Sequence, residues 1–299
     1  MLIPLVLTLA LAVQNQTDTT VAVRSGGRLA VENFGGSVTV RTWDRSQVRV
    51  QAVHGRRDRI EVESSGSVVR VEAARAGRGV GIPVNVEYTI TVPAWLHVEV
   101  EGINTTADIE GVTGEVSVET VQGNVRVVGG SGRISLESVQ GEIVLSKARG
   151  RVDVSTVNRG IHVFDVEGDI VAETVNGPIV IERVQSRAVD AATVNGTIVY
   201  DGTIRSGGDY ALATHNGGIW VVVPNGTDAT VNVSTFNGRF DASFPATVDS
   251  VNKRRFSFTI GNGSAEIDLE SFGGDIRLRR PGEDRPSFRG GQVRVGNPR

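Results

Sequence analysis

The chain has 299 residues, a formal net charge of -3 at neutral pH, and no cysteine. Its 31 Lys and Arg residues are scattered, so no basic patch points to a nucleic acid as partner. The lack of cysteine excludes disulfides, thiol chemistry and lipid attachment through a cysteine. Aromatic residues make up only 5% and Gly counts 37, a composition typical of many short strands joined by turns.

The first segment is an apolar run that ends in Ala10-Leu11-Ala12, the small-x-small form of a secretory cleavage site. The run is too short to span a bilayer. We therefore predict a signal peptide at 1–12, followed by an N-terminal segment at 13–24. The mature chain is expected to be exported to the periplasm, the cell envelope or the outside, with no membrane span.

Strand patterns begin at LAVENFGGSVTVRTW (29–43), where apolar residues alternate with polar ones. Residues 44–113 also carry alternating stretches, such as VNVEYTITV (84–92), but without a clean period. We interpret them as irregular N-terminal strands that pair before or beside a regular array. No long window shows helical spacing, so we expect almost no helix beyond the leader.

A short unit then recurs: a hydroxyl residue, an apolar residue, Asn or Gln, and usually Gly. It occurs as TVQG (120–123), SVQG (138–141), TVNRG (156–160), TVNG (174–177 and 193–196), THNG (214–217), TFNG (235–238) and SFGG (271–274). Apolar residues around it recur in step, as in Val116, Ile134, Val152 and Ile170. The alternation slips by one residue at the unit, which predicts that both Thr120 and Val121 are buried.

Two folds could produce this repeat: a meander of hairpins with Asn-Gly turns, or a parallel β-solenoid with equivalent residues stacked at about 4.8 Å. Hairpins would leave the Val121 series in solvent although it is apolar in every unit. Gln122 and Gln140 are poorly suited to the first turn position, and Arg159 stands where a turn needs Gly. The sequence therefore favours an all-β parallel solenoid with coils of about 18–21 residues.

In a solenoid, equivalent amides stack and satisfy one another. This predicts a structural amide ladder formed by Gln122, Gln140, Asn158, Asn176, Asn195, Asn216 and Asn237. The solenoid domain is predicted to span 25–280. Residues 239–262 break the period, which indicates an extra hairpin, and the polar segment 281–299 is predicted to be a flexible tail.

YTITVPAWLHVEVEG (88–102), followed by GEVSVETVQGNVRV (114–127) and its repeats, resembles the bacterial DUF4097 family. It is also similar to the head GIN domain proteins. The members are described as β-strand repeat proteins and candidate adhesins. The resemblance covers roughly 25–280 and implies a right-handed β-helix-like structure at the cell envelope. It offers no catalytic residues to carry over.

Glu119, Glu137 and Glu173 fall at the same coil position. Stacking would place the first two roughly 5 Å apart, a separation that suits the two carboxyls of a retaining glycosidase. They flank buried positions and so point outward, and a repeated position is expected to repeat its residue. We therefore favour a structural interpretation, with the carboxylates screened by the nearby arginines Arg126, Arg133 and Arg151.

The four histidines, His54, His97, His162 and His215, lie on different units without the spacing of metal ligands. We expect no catalytic residue, no metal and no cofactor. Trp220 is a candidate platform for stacking a sugar, although filling of the core is the preferred interpretation.

The sequence thus predicts a non-catalytic envelope scaffold or adhesin-like interaction module with envelope proteins or glycans as partners. Irregular strands at both ends suit caps, so a monomer is expected. The alternatives are a carbohydrate-active β-helix enzyme and a self-assembling filament.

Overall fold

The computed structural model describes residues 15–75, 85–244, 247–252, 254–283, 287–289 and 292–294. The predicted signal peptide lies outside them. In the described residues all regular structure is β-strand, and 25 strands join one continuous sheet. Each central strand pairs in parallel with the strands one coil before and one coil after it. The chain is therefore a β-solenoid, as predicted, and the hairpin meander is excluded.

Seven strands build the N-terminal part. They are β1 (Asn15–Ala22), β2 (Arg28–Trp43), β3 (Gln47–His54), β4 (Asp58–Ser64), β5 (Val68–Arg75), β6 (Val86–Pro93) and β7 (His97–Glu110). Strand β2 pairs in parallel with β7 on one side and with β5 and β6 on the other. The coil at 28–43 thus lies between two stretches that follow it in the chain. Antiparallel strands β1, β3 and β4 close this end.

The central coils place one strand on each of two faces. They contain β8 (Val116–Gln122), β9 (Val125–Val128), β10 (Ser131–Ser138), β11 (Ile143–Ser146), β12 (Arg149–Thr156), β13 (Ile161–Phe164), β14 (Ile170–Asn176), β15 (Ile179–Val184), β16 (Ala188–Asn195), β17 (Ile198–Gly202), β18 (Asp209–Thr214) and β19 (Ile219–Val222). The even-numbered strands form what we call the first face, and the odd-numbered strands form the second face.

In the C-terminal part, as in the N-terminal part, the spatial order of the coils differs from their order in the sequence. Its strands are β20 (Ala229–Thr235), β21 (Phe240–Ala242), β22 (Thr247–Asn252), β23 (Arg255–Ile260), β24 (Ala265–Ser271), β25 (Ile276–Arg279), β26 (Ser287–Arg289) and β27 (Gln292–Arg294). Strand β24 pairs in parallel with both β18 and β20, so the coil at 265–279 lies between two earlier coils. Strands β22 and β23 form the predicted extra hairpin. In the predicted tail, β26 and β27 pair as a separate antiparallel sheet.

The core is the interior of the tube. On the first face Val116, Ile134, Val152 and Ile170 stack in register and are fully buried. On the second face Val125, Ile143, Ile161 and Ile179 do the same. Each such side chain contributes about 1.5–3 kcal/mol on burial, so the stacked columns supply most of the stabilisation.

The first face ends at a corner where the hydroxyl residue of the repeated unit points inward. Thr156 Oγ1 donates to the carbonyl of Gly141 (2.9 Å), and Thr174 Oγ1 donates to that of Arg159 (2.9 Å). Each bond joins one coil to the preceding coil. The unit therefore needs Ser or Thr here, because a small buried donor satisfies the corner carbonyl.

The glycine of the unit permits the coils to stack closely at the same corner. A Cβ at Gly196 would collide with the carbonyl oxygen of Gly177 in the coil below, which is backbone and cannot move aside. Glycine is thus required by the close approach of two main chains.

The prediction that Thr120 and Val121 are both buried is wrong for the valine. Thr120 is buried, but Val121 is 44% exposed. The hydroxyl takes the inward position and forms the corner bonds, and the next residue consequently points to solvent. The solenoid is confirmed, but burial of the Val121 series is not a reason for it, because this series is exposed in the solenoid as well.

Candidate interaction surface

The exposed apolar residues of the solenoid form one column. All the large hydrophobic side chains that are exposed in the described residues occupy the position after the corner residue, on successive rungs. The corner residue is Asn33 before Phe34, Gly102 before Ile103, and Ser or Thr on the other rungs. We call this column the apolar ridge. In spatial order it comprises Phe34, Ile103, Val121, Val139, Val157, Val175, Val194, His215, Phe272 and Phe236. With about 4.8 Å between rungs, the ridge is about 43 Å long.

Aromatic rings form one end of the ridge. The rings of His215 and Phe272 stack with centroids 4.7 Å apart, and those of Phe272 and Phe236 stack at 4.8 Å. The guanidinium of Arg254 lies 3.8 Å from the centre of the Phe236 ring. His215 is therefore a member of an aromatic stack, which accounts for the one non-aliphatic, non-Phe residue in the column.

A column of carboxylates runs beside the ridge on the first face. We call it the glutamate column, and it consists of Glu32, Glu101, Glu119, Glu137, Glu173 and Glu270. The remaining rungs carry Ser155, Ala192, Ala213 and Ser234. Glu119 and Glu137 are neighbours in register and are exposed. In the described part of the chain, neither they nor Glu173 have an ion-pair partner.

The predicted screening by Arg126 is wrong. Arg126 lies on the second face, where its Nη1 donates to Asp108 Oδ1 at 3.0 Å. Arg133 and Arg151 are on the first face, four residues before Glu137 and Ser155 and away from the glutamate column. Glu119, Glu137 and Glu173 are thus exposed to solvent without an ion-pair partner in the described residues, whereas Glu32 at the end of the column accepts from Arg70 Nη1 at 2.9 Å.

Carboxylates outnumber cations on the rest of the first face. Outward positions farther from the ridge carry Glu99, Glu115, Asp153, Asp169, Asp190, Asp209, Glu266 and Asp268. Arg133 and Arg151 lie among these positions and Arg28 pairs with Glu99 at 3.1 Å, so the face carries an excess of negative charge, which favours cationic ligands.

A groove lies between the glutamate column and the apolar ridge. It has a volume of about 830 Å³ and extends from Glu119 and Val121 to Glu270 and Phe272. The corner hydroxyls line it between the two walls. One wall carries a carboxylate on four of its seven rungs, at Glu119, Glu137, Glu173 and Glu270, and the other wall is apolar except at His215.

An amide ladder borders the ridge on its other side. Asn176 Nδ2 donates to Asn158 Oδ1 (3.1 Å), Asn195 donates to Asn176 (2.8 Å) and Asn216 donates to Asn195 (2.9 Å). Gln122 and Gln140 stand on preceding rungs of the same column and are exposed. The ridge is thus flanked by negative charge on one side and by neutral amides on the other.

Asn237 does not lie next to Asn216, which corrects its predicted place in the ladder. The inserted coil puts Gly273 between them, since the Gly273 amide donates to His215 O and the Asn237 amide donates to Phe272 O. Sequence order suggested adjacent rungs, but the spatial order of the coils differs there.

The four histidines lie in separate environments. His54 Nε2 is 2.9 Å from Thr17 Oγ1, and His162 Nε2 is 3.3 Å from Glu182 Oε2 on the second face. His97 lies near Glu115 on the first face. No group of three or more His, Asp or Glu side chains in the described residues is arranged to hold a metal ion.

Trp220 neither fills the tube nor offers an open platform. It points outward from β19, where it packs with Val180 and Val199 in a cluster separate from the core. The guanidinium of Arg277 lies 4.7 Å from the ring centre, and only 7% of the residue is exposed. The preferred core interpretation is therefore wrong, and the ring is covered.

The structure places no membrane-crossing helix in the described residues, since none has the necessary length and apolar character.

Comparisons with known proteins identify the family. The chain is similar to a "putative adhesin" from Parabacteroides distasonis (11% identity, TM-score 0.40, 90% of this chain and 98% of that chain) and to another from Parabacteroides merdae (11%, 0.35, 88% and 95%). It is also similar to a "Putative lipid binding protein" from Parabacteroides distasonis (10%, 0.34, 88% and 96%). No curated protein matches the sequence. The family model described as Toastrack DUF4097 matches residues 8–279, so the chain belongs to this family.

Proposed function

We propose that this Toastrack DUF4097 chain is a non-catalytic, exported interaction module of the cell envelope, and that it binds a protein partner along the apolar ridge. The observation that carries the proposal is the alignment of the exposed large hydrophobic side chains in one column. Single exposed apolar residues are ordinary, whereas a continuous apolar surface marks an interaction site. The stacked coils beneath it hold the column rigid, which lowers the entropy lost on binding.

The walls of the groove support a binding role over catalysis. Glycoside hydrolysis needs two carboxyl groups that flank the scissile bond. Glu119 and Glu137 lie side by side on one wall, and the opposite wall is the apolar ridge. A sugar in the groove would thus meet carboxyls from one side only.

The ends of the solenoid support a monomer. An uncovered parallel coil would offer its unpaired edge to another chain. Here the antiparallel strands β1 and β3 cover one end, and the β22–β23 hairpin covers the other. Light scattering should give the mass of one chain, and filaments in electron micrographs would contradict this part of the proposal.

Site-specific photo-crosslinking in the native envelope tests the proposal. A photoreactive residue at Val157 should give one discrete crosslinked product with a protein. The same residue at Thr106, which is exposed on the second face, serves as the matched control and should give none. Equal products from both positions, or none from either, would overturn the proposal. N-terminal sequencing of the envelope-associated protein should begin near Val13, and an intact Met1 would contradict export.

The enzymatic alternative has its own test. The protein should show no turnover on a panel of polysaccharides. Turnover that vanished in Glu119→Gln or Glu137→Gln, with folding intact, would establish a carbohydrate-active enzyme and contradict the proposal.

A further inference from the structure

We infer that the partner segment is an amphipathic α-helix of about 20 residues with a cationic flank, which lies in the groove parallel to the solenoid axis. This inference rests on the proposed function and names the chemistry of the partner. It follows from the direction of the groove, its length and the charge of its walls.

The direction of the groove favours a helix over a strand. The groove crosses the rungs at right angles, and the backbone groups of the first face are already paired between coils. A partner strand therefore finds no free donors or acceptors there. Recognition must come from side chains, and a helix presents apolar side chains as a straight stripe that matches a straight ridge.

The length of the groove sets the length of the helix. From Val121 to Phe272 the groove spans seven successive rungs. Six intervals of about 4.8 Å give about 29 Å, which corresponds to about 19 helical residues at 1.5 Å each.

The charge of the groove requires a basic partner. Glu119, Glu137 and Glu173 lie along one wall with no ion-pair partner in the described residues. On the far side of the ridge the amides of Asn158, Asn176, Asn195 and Asn216 are neutral and bond to one another. A helix with Lys or Arg on one flank and uncharged residues on the other is complementary to this arrangement.

A second copy of the chain fits less well. A two-fold arrangement of ridge against ridge places the glutamate column opposite either the partner's glutamate column or its amide ladder. In neither arrangement does a column of cations face the glutamate column, since Arg159 next to Asn158 is a single exposed cation on that side. An anionic lipid surface is disfavoured for the same reason, because the acidic first face would be repelled by it.

Binding of designed peptides to the full chain tests the inference by fluorescence anisotropy. The first peptide has about 20 residues, Leu on one helical face and Lys along one flank, and its counterpart has Glu at each Lys position. The cationic peptide should bind in a one-to-one complex, more tightly than the acidic peptide. Added NaCl should weaken that binding.

Matched triple variants separate the groove from general attraction to an acidic protein. Glu119→Gln, Glu137→Gln and Glu173→Gln together should weaken binding of the cationic peptide about tenfold. The control is Glu115→Gln, Asp169→Asn and Asp209→Asn, which removes the same charge at outward positions about 13 Å farther along the strands. The control should change affinity less than about twofold, since this distance exceeds the screening length. Equal losses in the two triple variants would overturn the inference.

Further outcomes distinguish this inference from the proposed function. Val157→Asp, checked by circular dichroism for folding, should weaken peptide binding at least about tenfold because it puts a charge on the apolar wall. Preferential binding of the acidic peptide, or of vesicles of equal parts phosphatidylcholine and phosphatidylglycerol, would overturn the cationic helix. If the Val157 crosslink still formed in the envelope, the interaction module would stand with a partner of different chemistry. If neither binding of the cationic peptide nor the Val157 crosslink were observed, both the cationic helix and the proposed interaction module would be overturned.

Discussion

Thr156 and Val157 are neighbours in the chain, but their side chains lie on opposite sides of the solenoid wall. Thr156 is buried and its Oγ1 donates to Gly141 O at 2.9 Å, whereas Val157 is 38% exposed on the apolar ridge. The repeated unit therefore has two structural roles. Its hydroxyl joins successive coils, and its apolar residue supplies the surface.

The hydroxyl should matter for stability. Thr156→Val keeps the shape but removes the donor and leaves the Gly141 carbonyl without this bond, so the free energy of unfolding should fall by about 1–2 kcal/mol. Thr156→Ser retains the hydroxyl and should recover most of this loss. Urea denaturation monitored by circular dichroism measures both variants. Equal stabilities of the Val variant and the wild type would show that the bond contributes nothing.

The ridge should be dispensable for stability. Val157→Thr changes an exposed side chain and should shift the free energy of unfolding by less than about 0.5 kcal/mol. The matched control Val154→Thr puts a hydroxyl into the core, where Val154 is fully buried, and should lower stability by about 1–3 kcal/mol. The two urea midpoints should therefore separate clearly. A comparable loss at Val157 would mean that the ridge is part of the core rather than a binding surface.

The gap in the amide column can be filled. Gly273 stands between Asn216 and Asn237, and a Cβ there would meet two atoms at 3.3 Å: Asn216 Oδ1, which can move, and the His215 carbonyl oxygen, which needs a shift of a few tenths of an ångström. Gly273→Asn should raise the free energy of unfolding by about 0.5–1 kcal/mol through new amide bonds and a less flexible unfolded chain. Gly273→Ala controls for the second effect. If Ala stabilises as much as Asn, the amides add nothing at this rung.

The ion pair between Asp165 and Arg183 should be visible in a titration. Arg183 Nε and Nη2 donate to the Asp165 carboxylate at 2.7 and 3.1 Å, which lowers the pKa of Asp165 below its ordinary value. A carboxyl with a lowered folded-state pKa stabilises the fold above its unfolded-state pKa, and this contribution is lost as pH falls through the lowered value. Carboxyl NMR should show Asp165 titrating at lower pH than in Arg183→Gln. An unchanged midpoint in the variant would contradict the role of Arg183.

The stacking register could be predicted from the sequence because it depends on a local repeat. Val116, Ile134 and Val152 recur at a constant interval, and parallel coils place such residues over one another. The break in the period likewise indicated the β22–β23 hairpin, because a segment that cannot stack must pair in another way.

The apolar ridge was missed because apolar residues were assigned to the core. At the corner two adjacent residues compete for one inward position, and the hydrogen bond to the neighbouring coil gives it to the hydroxyl. The sequence did contain an indication that this position is exposed. Phe236 and Phe272 continue the Val121 series, and their side chains are too large to be buried at a tight corner. The spatial order of the coils at the two ends could not be predicted from the sequence. A segment that matches the repeat is predicted to form a coil, but the match does not show which other coils are its neighbours.

The inserted coils bear on how the protein is synthesised. Strand β20 leaves the ribosome before β24, the strand that must separate it from β18. Coils of a solenoid usually can add in order of synthesis, since each contacts only its neighbours. Here a nascent chain that stops before residue 265 leaves β18 with an open edge and β20 without its parallel neighbour, which invites self-association. Completion of this end therefore waits for the coil at 265–279, so that only a chain that extends through β25 has its C-terminal coils fully paired.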